Sequence, residues 1–105
     1  MSRLPWHLLP DNASVGDGGH LLIGGCDTLD LAREFGTPVF VYDEDHLRVR
    51  CREVVDAFGD GATYATKAFL CRAMARLASE EGMSLDVATG GEVHVCLSAG
   101  SRPSD

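Results

Sequence analysis

Apolar positions fall into short runs separated by glycine and proline, and the runs change period along the chain. Residues 10 to 19, with Pro10, Asp11, Asn12, Gly16, Gly18 and Gly19, form a turn-rich lead-in to Leu21-Leu22-Ile23, a predicted strand ending at Gly24-Gly25. From Thr28 to Phe35 the residues Leu29, Leu31, Ala32 and Phe35 recur at helical spacing, with Gly36 as the stop before Pro38. Val39-Phe40-Val41-Tyr42 is β-branched and aromatic and predicts a strand. Asp43 then caps a longer helix to about residue 58, whose buried side holds Leu47, Cys51, Val54, Val55 and Phe58.

The turn Gly59-Asp60-Gly61 leads to a strand from Ala62 to about Lys67, then a helix from about Phe69 to Glu81 with Leu70, Ala73, Met74, Leu77 and Ala78 facing inward. This unit closes at Gly82. Ser84-Leu85-Asp86-Val87-Ala88 is the next strand, Thr89-Gly90-Gly91 a tight connection, and Glu92 to Ser98 a helix burying Val93, Cys96 and Leu97. Strand, helix, strand and helix in short succession describe a parallel sheet with right-handed crossovers, so the second half is α/β.

Composition changes this picture only by exclusion. Of 105 residues, 45% are hydrophobic and 24% charged, the balance of an ordinary globular domain. Sixteen acidic against nine basic residues give a net charge of −7, which argues against nucleic acid as a partner. Arg48, Arg50 and Arg52 sit among Glu44, Asp45 and Glu53 and read as a solvated helix face with no binding role. The four cysteines, Cys26, Cys51, Cys71 and Cys96, have neither a CxxC pair nor a histidine at zinc-ligand spacing, so no metal is expected. Reduced, mostly buried thiols are expected instead, and with them a cytoplasmic location. Leu4 to Pro10 is too short and too broken by proline for a signal peptide, and no apolar run is long enough for a membrane span.

Chemistry has few candidates. In parallel α/β architectures reactive groups gather at the carboxyl ends of strands, and Lys67 falls at such an end. Burial and neighbouring cations can leave a lysine there neutral enough to attack an aldehyde, whereas many strand-end lysines simply reach for water. Asp86 is an acid inside the apolar run Leu85-Asp86-Val87. Pairing with the lysine of the neighbouring strand and a structural hydrogen bond to a loop amide explain it equally well. Gly90-Gly91-Glu92 at a helix start suits close backbone approach to a ligand, and also a plain βα turn with an acid on the helix dipole. His94 reads as a packing or surface residue, and His7, His20 and His46 have no motif around them.

Together, Gly36-Thr37-Pro38-Val39-Phe40-Val41-Tyr42-Asp43, Tyr64-Ala65-Thr66-Lys67-Ala68 and Leu85-Asp86-Val87-Ala88-Thr89-Gly90-Gly91-Glu92 resemble the start of the diaminopimelate decarboxylases. These belong to the fold type III pyridoxal phosphate enzymes, with the ornithine and arginine decarboxylases and alanine racemase. The resemblance implies that Lys67 holds pyridoxal 5'-phosphate as a Schiff base, that Asp86 lies near it at the adjacent strand end, and that Glu92 belongs to the same neighbourhood. It implies an α/β fold in which residues 1–43 add strands to a separate β domain and residues 44–105 begin a pyridoxal phosphate-binding (β/α)8 TIM barrel. It further implies decarboxylation of meso-diaminopimelate to L-lysine, an amino-acid substrate, and a homodimer for the full-length family member.

Family members are several times longer. The family's ring-stacking histidine, glycine-rich phosphate loop, acid facing the pyridine nitrogen and C-terminal β domain have no counterpart in these residues. The expectation is therefore a truncated, inactive piece of such an enzyme. The alternatives are another fold type III enzyme, such as an alanine racemase or an ornithine/arginine-type decarboxylase, a non-catalytic fragment that docks on a homologue, or, from the bare periodicity alone, a self-contained α/β binding domain unrelated to the cofactor.

Overall fold

The computed structural model describes residues 4 to 103, which divide after Leu47 into two compact units. The first carries three short antiparallel strands in the order β1 (Ser14–Val15), β2 (Leu21–Ile23) and β3 (Cys26–Asp27). Ile23 pairs with Cys26 across a two-residue loop in which Gly24 and Gly25 have φ of 58° and 79°. Left-handed backbone at both central positions is what a tight hairpin turn with the sheet's own twist demands, and glycine adopts it freely. The pattern of apolar residues foretold β2 alone, because strands of two residues are too short to show a period.

Asp27 ends β3 and caps α1 (Thr28–Phe35), its Oδ1 accepting from the Leu29 amide at 2.8 Å. His20 Nδ1 lies 2.7 Å from the other oxygen, and this hydrogen bond holds the Asp27 carboxyl below the usual carboxylate range. Thr28 donates to the Leu21 carbonyl at 2.9 Å, which ties the helix start to β2. The helix stops at Gly36 as expected.

Val39-Phe40-Val41-Tyr42 is not a strand. A strand exists only where its backbone groups join a ladder, and the strand pairings among the described residues do not include this segment; Phe40 is 88% exposed. Asp43 does cap the next helix, α2 (Glu44–Phe58), accepting from the His46 amide at 3.1 Å.

In the second unit, β4 (Thr63–Ala65) and β5 (Ser84–Asp86) pair in parallel, with Thr63 opposite Ser84, Tyr64 opposite Leu85 and Ala65 opposite Asp86. A parallel pair requires a crossover, here α3 (Arg72–Glu80), and α4 (Gly90–Ser98) follows β5. The buried face of α3 is Met74, Ala75, Leu77 and Ala78. Ala73, expected inside, is exposed, because this arc is centred one position further along than its large apolar residues suggest. Ala75 packs with Cys96 and Ala99 of the α4 end, and Leu70 and Leu85 close over them. Small side chains on both surfaces permit that close contact.

The structure corrects three further expectations of burial. On α2 only Cys51 is buried, and Val54 and Phe58 are exposed, Phe58 by 72%. On α4 Cys96 is buried while Val93 and Leu97 are exposed. All four cysteines are free, two of them buried and two exposed. Apolar spacing marks a face able to be covered, and among the described residues nothing covers these.

Arg48 and Arg52 are more than a solvated face. Glu81, just past α3, accepts from Arg52 Nε at 2.7 Å and from Arg48 Nη1 at 3.0 Å, and Arg48 also reaches Glu80 at 3.2 Å. The two guanidinium groups hold the Glu81 carboxyl below its ordinary value of 4.5. A carboxyl depressed in the folded state stabilises the fold above its unfolded pKa and loses that contribution as pH falls through its folded one. Glu81→Gln therefore lowers the urea midpoint at about pH 7, and the gap from the parent closes progressively as pH falls below the ordinary value of 4.5. A gap that stays constant with pH would remove the ion pairs as its source.

No described helix is long and apolar enough to cross a membrane. No group of three or more His, Cys, Asp or Glu placed to hold a metal ion occurs among the described residues.

Candidate active site

The predicted strand through Lys67 stops two residues sooner. After Ala65 the chain enters a single 3-10 turn, Thr66–Ala68, and Lys67 sits in it with its side chain exposed. Two hydrogen bonds shape this turn. The Thr66 hydroxyl donates to the Asp86 carbonyl at 2.8 Å, and the Tyr64 hydroxyl donates to the Phe69 carbonyl at 2.7 Å. Thr66 is 1% exposed, the largest fully buried side chain described.

Asp86 is the last residue of β5 and stands opposite Ala65, so its carbonyl carbon and the Lys67 turn share one end of the sheet. The Asp86 carboxylate is exposed, and it is the backbone oxygen that the sheet end employs. The strand expected to run on to Ala88 ends here.

Glu92 is committed elsewhere. Its Oε1 accepts from the Ala88 amide at 2.6 Å, while Thr89 Oγ1 accepts from the Glu92 amide at 3.2 Å. This reciprocal arrangement is close to a capping box. It starts α4 two residues before the predicted start and makes Gly90 and Gly91 its first turn. Glu92 thus holds the loop that follows Asp86. A Cβ on Gly90 would meet nothing within 4 Å, so the helix start is bare backbone. His94 is exposed on the same helix.

Tyr64 and Thr66 carry the geometry around Lys67, and sequence reasoning missed both. Their signal was present in Tyr64-Ala65-Thr66-Lys67, polar hydroxyls on either side of Ala65 in a strand destined for a core, each in need of a partner. A hollow of about 410 Å³ lies near β5 and α4, but Leu85, Val87, Val93 and Leu97 line it, and Lys67, Asp86 and Glu92 do not.

Lys67 is the only lysine in the sequence. An exposed primary amine on a doubly fastened turn, with an acid at the neighbouring strand end and bare backbone at the next helix start, fits an aldehyde cofactor that also carries charged groups.

Residues 44–105 match the family model of the pyridoxal binding domain of pyridoxal-dependent decarboxylases, and the chain belongs to that family, whose cofactor is pyridoxal phosphate. Its relatives narrow the class. The chain is 52% identical over 96 residues to the diaminopimelate decarboxylase of Mycobacterium tuberculosis, covering 90% of this chain and 22% of that protein. It is 50% identical over 103 residues to that of Mycobacterium leprae, covering 96% and 22%. To that of Bacillus subtilis it is 47% identical over 87 residues, covering 78% and 20%. The chain therefore spans about a fifth of the length of these relatives.

Proposed function

We propose that this chain supplies the cofactor-bearing lysine of a decarboxylase that converts meso-diaminopimelate to L-lysine, and that Lys67 is that lysine. The observation carrying this reading is the position of the only lysine, exposed in a turn at the carboxyl end of β4, inside the stretch that matches a pyridoxal binding domain. In the same reading Asp86 orients the lysine from the adjacent strand end. Glu92 shapes the cofactor's surroundings through the Ala88 amide it holds. Residues 1–43 belong to a β domain, and residues 44–105 open a (β/α)8 barrel, of which the β4-α3-β5 crossover is the repeating unit.

Pyridoxal phosphate, when bound, supplies an electron sink for the pair left behind as carbon dioxide departs. The chain's part is to present the Lys67 amine, keep it in place through its turn, and yield it when a substrate amine arrives. The test is borohydride reduction of the full chain with pyridoxal phosphate, followed by peptide mapping. Label concentrated on Lys67 supports the assignment. An even spread over Lys67 and the N-terminal amine sinks it.

We also infer that these residues alone hold the cofactor without turnover. Lys67 is exposed, and among the described residues the β4-β5 sheet has two strands. Decarboxylase sites depend on excluding water from the reacting centre. Lysine formed from meso-diaminopimelate by the purified chain would overturn this. For the gene product as its organism makes it, carbon dioxide released from ornithine, or racemised alanine, would replace the substrate assignment.

A further inference from the structure

We propose that Thr66 and Tyr64 are positioning residues that aim the Lys67 amine at the cofactor by fastening its turn on both sides. This rests on the reading of Lys67 as the cofactor lysine.

The strand pairing of β4 with β5 ends at Ala65 and Asp86. One residue on, the Thr66 hydroxyl extends the connection between the strands by another bond, donated to the Asp86 carbonyl at 2.8 Å. That bond is shielded from water, since Thr66 is 1% exposed. On the far side of Lys67 the Tyr64 hydroxyl reaches over the turn to the Phe69 carbonyl at 2.7 Å. The backbone of Lys67 is thus held one residue before it and two residues after it, while its side chain stays exposed. A lysine side chain has four rotatable methylenes, so its amine sweeps a wide volume unless the Cα is fixed. Fixing the Cα limits that volume to the region over the β4 and β5 ends, and raises the effective concentration of amine there.

The test uses three variants of the full chain, Thr66→Val, Thr66→Ser and Tyr64→Phe, each checked for folding by circular dichroism and urea titration. Each is treated with pyridoxal phosphate and borohydride. The amine adds to the aldehyde with loss of water, and the borohydride hydride makes the new carbon–nitrogen bond permanent. The readout is the ratio of label on Lys67 to label on the N-terminal amine, which serves as an internal reference.

Thr66→Val keeps the β-branched shape and loses the donor, so the ratio falls about fivefold, the effect of one net hydrogen bond. Thr66→Ser keeps the donor and restores the parent ratio. Tyr64→Phe lowers the ratio in the same direction, and it decides the matter should Thr66→Val not fold. A purely structural role predicts that labelling follows the folded fraction alone, so folded variants with the parent ratio overturn the proposal. Parent chain that labels Lys67 while folded variants do so equally defeats only the positioning role. Parent chain that leaves Lys67 unlabelled defeats the reading of Lys67 and this inference with it.

Discussion

Lys67→Ala removes all trapped pyridoxal phosphate from position 67 and leaves label on the N-terminal amine alone. The loss is complete rather than partial because the sequence holds no other lysine to substitute for it. Lys67→Arg gives the same result for a different reason. A guanidinium stays protonated at any pH the protein tolerates and offers no neutral amine to an aldehyde, although it preserves charge and length. The exposed position of the side chain means that neither change disturbs the core, so both variants keep the parent's circular dichroism and urea midpoint. Mass spectrometry of the borohydride-reduced, digested variants reads the outcome. Undiminished total label on either variant would show that attachment never depended on this lysine.

Leu77→Ala has the largest expected effect on stability. Leu77 is 5% exposed on α3, whose buried face holds Met74, Ala75, Leu77 and Ala78. Truncating a buried leucine removes its transfer free energy and leaves a cavity, together about 2–5 kcal/mol. Domains of this size have about 5–15 kcal/mol in total, so the variant loses a large share of its stability and its urea midpoint falls well below the parent's. The neighbouring Arg76→Ala, on the exposed side of the same helix, changes stability by less than about 0.5 kcal/mol. Urea titration of the two variants beside the parent measures the contrast. Equal midpoints for Leu77→Ala and Arg76→Ala would mean that α3 is not packed as described.

The two predictions address different layers of one arrangement. α3 is the crossover that allows β4 and β5 to lie in parallel, and the parallel pairing is what brings the Asp86 carbonyl to the Thr66 hydroxyl. Loss of α3 packing therefore reaches Lys67 through the strand ends, whereas substitution of Lys67 does not reach back to α3. Glu81 adds a second fastening between α2 and the end of α3, in which Arg48 and Arg52 come from a helix about thirty residues earlier.

The local signals in the sequence proved sufficient for the helices. Asp43 capped α2, Gly36 stopped α1, and the spacing of apolar residues located α3 and α4 to within a few positions. Such signals depend on hydrogen bonds and side-chain periods that a helix completes within itself. The strands were less legible. Val39-Phe40-Val41-Tyr42 has strand composition and forms none, and Ser14–Val15 and Cys26–Asp27 form strands that their composition does not announce. A strand is completed by residues elsewhere in the chain, so its own sequence is only half of the cause.

The candidate site divides the same way. Sequence alone placed Lys67 near the end of a short apolar strand, Asp86 inside the next one, and Gly90-Gly91-Glu92 at a helix start, since each follows from residue type and order. Only the tertiary structure decided that Lys67 occupies a separate turn, that Asp86 offers its backbone carbonyl to Thr66, and that Glu92 is engaged by the Ala88 amide. The reason is reach. A hydroxyl or a carboxylate bonds whichever group the fold brings within about 3 Å, and for Thr66 that group lies twenty residues further along the chain, beyond any period the sequence can display.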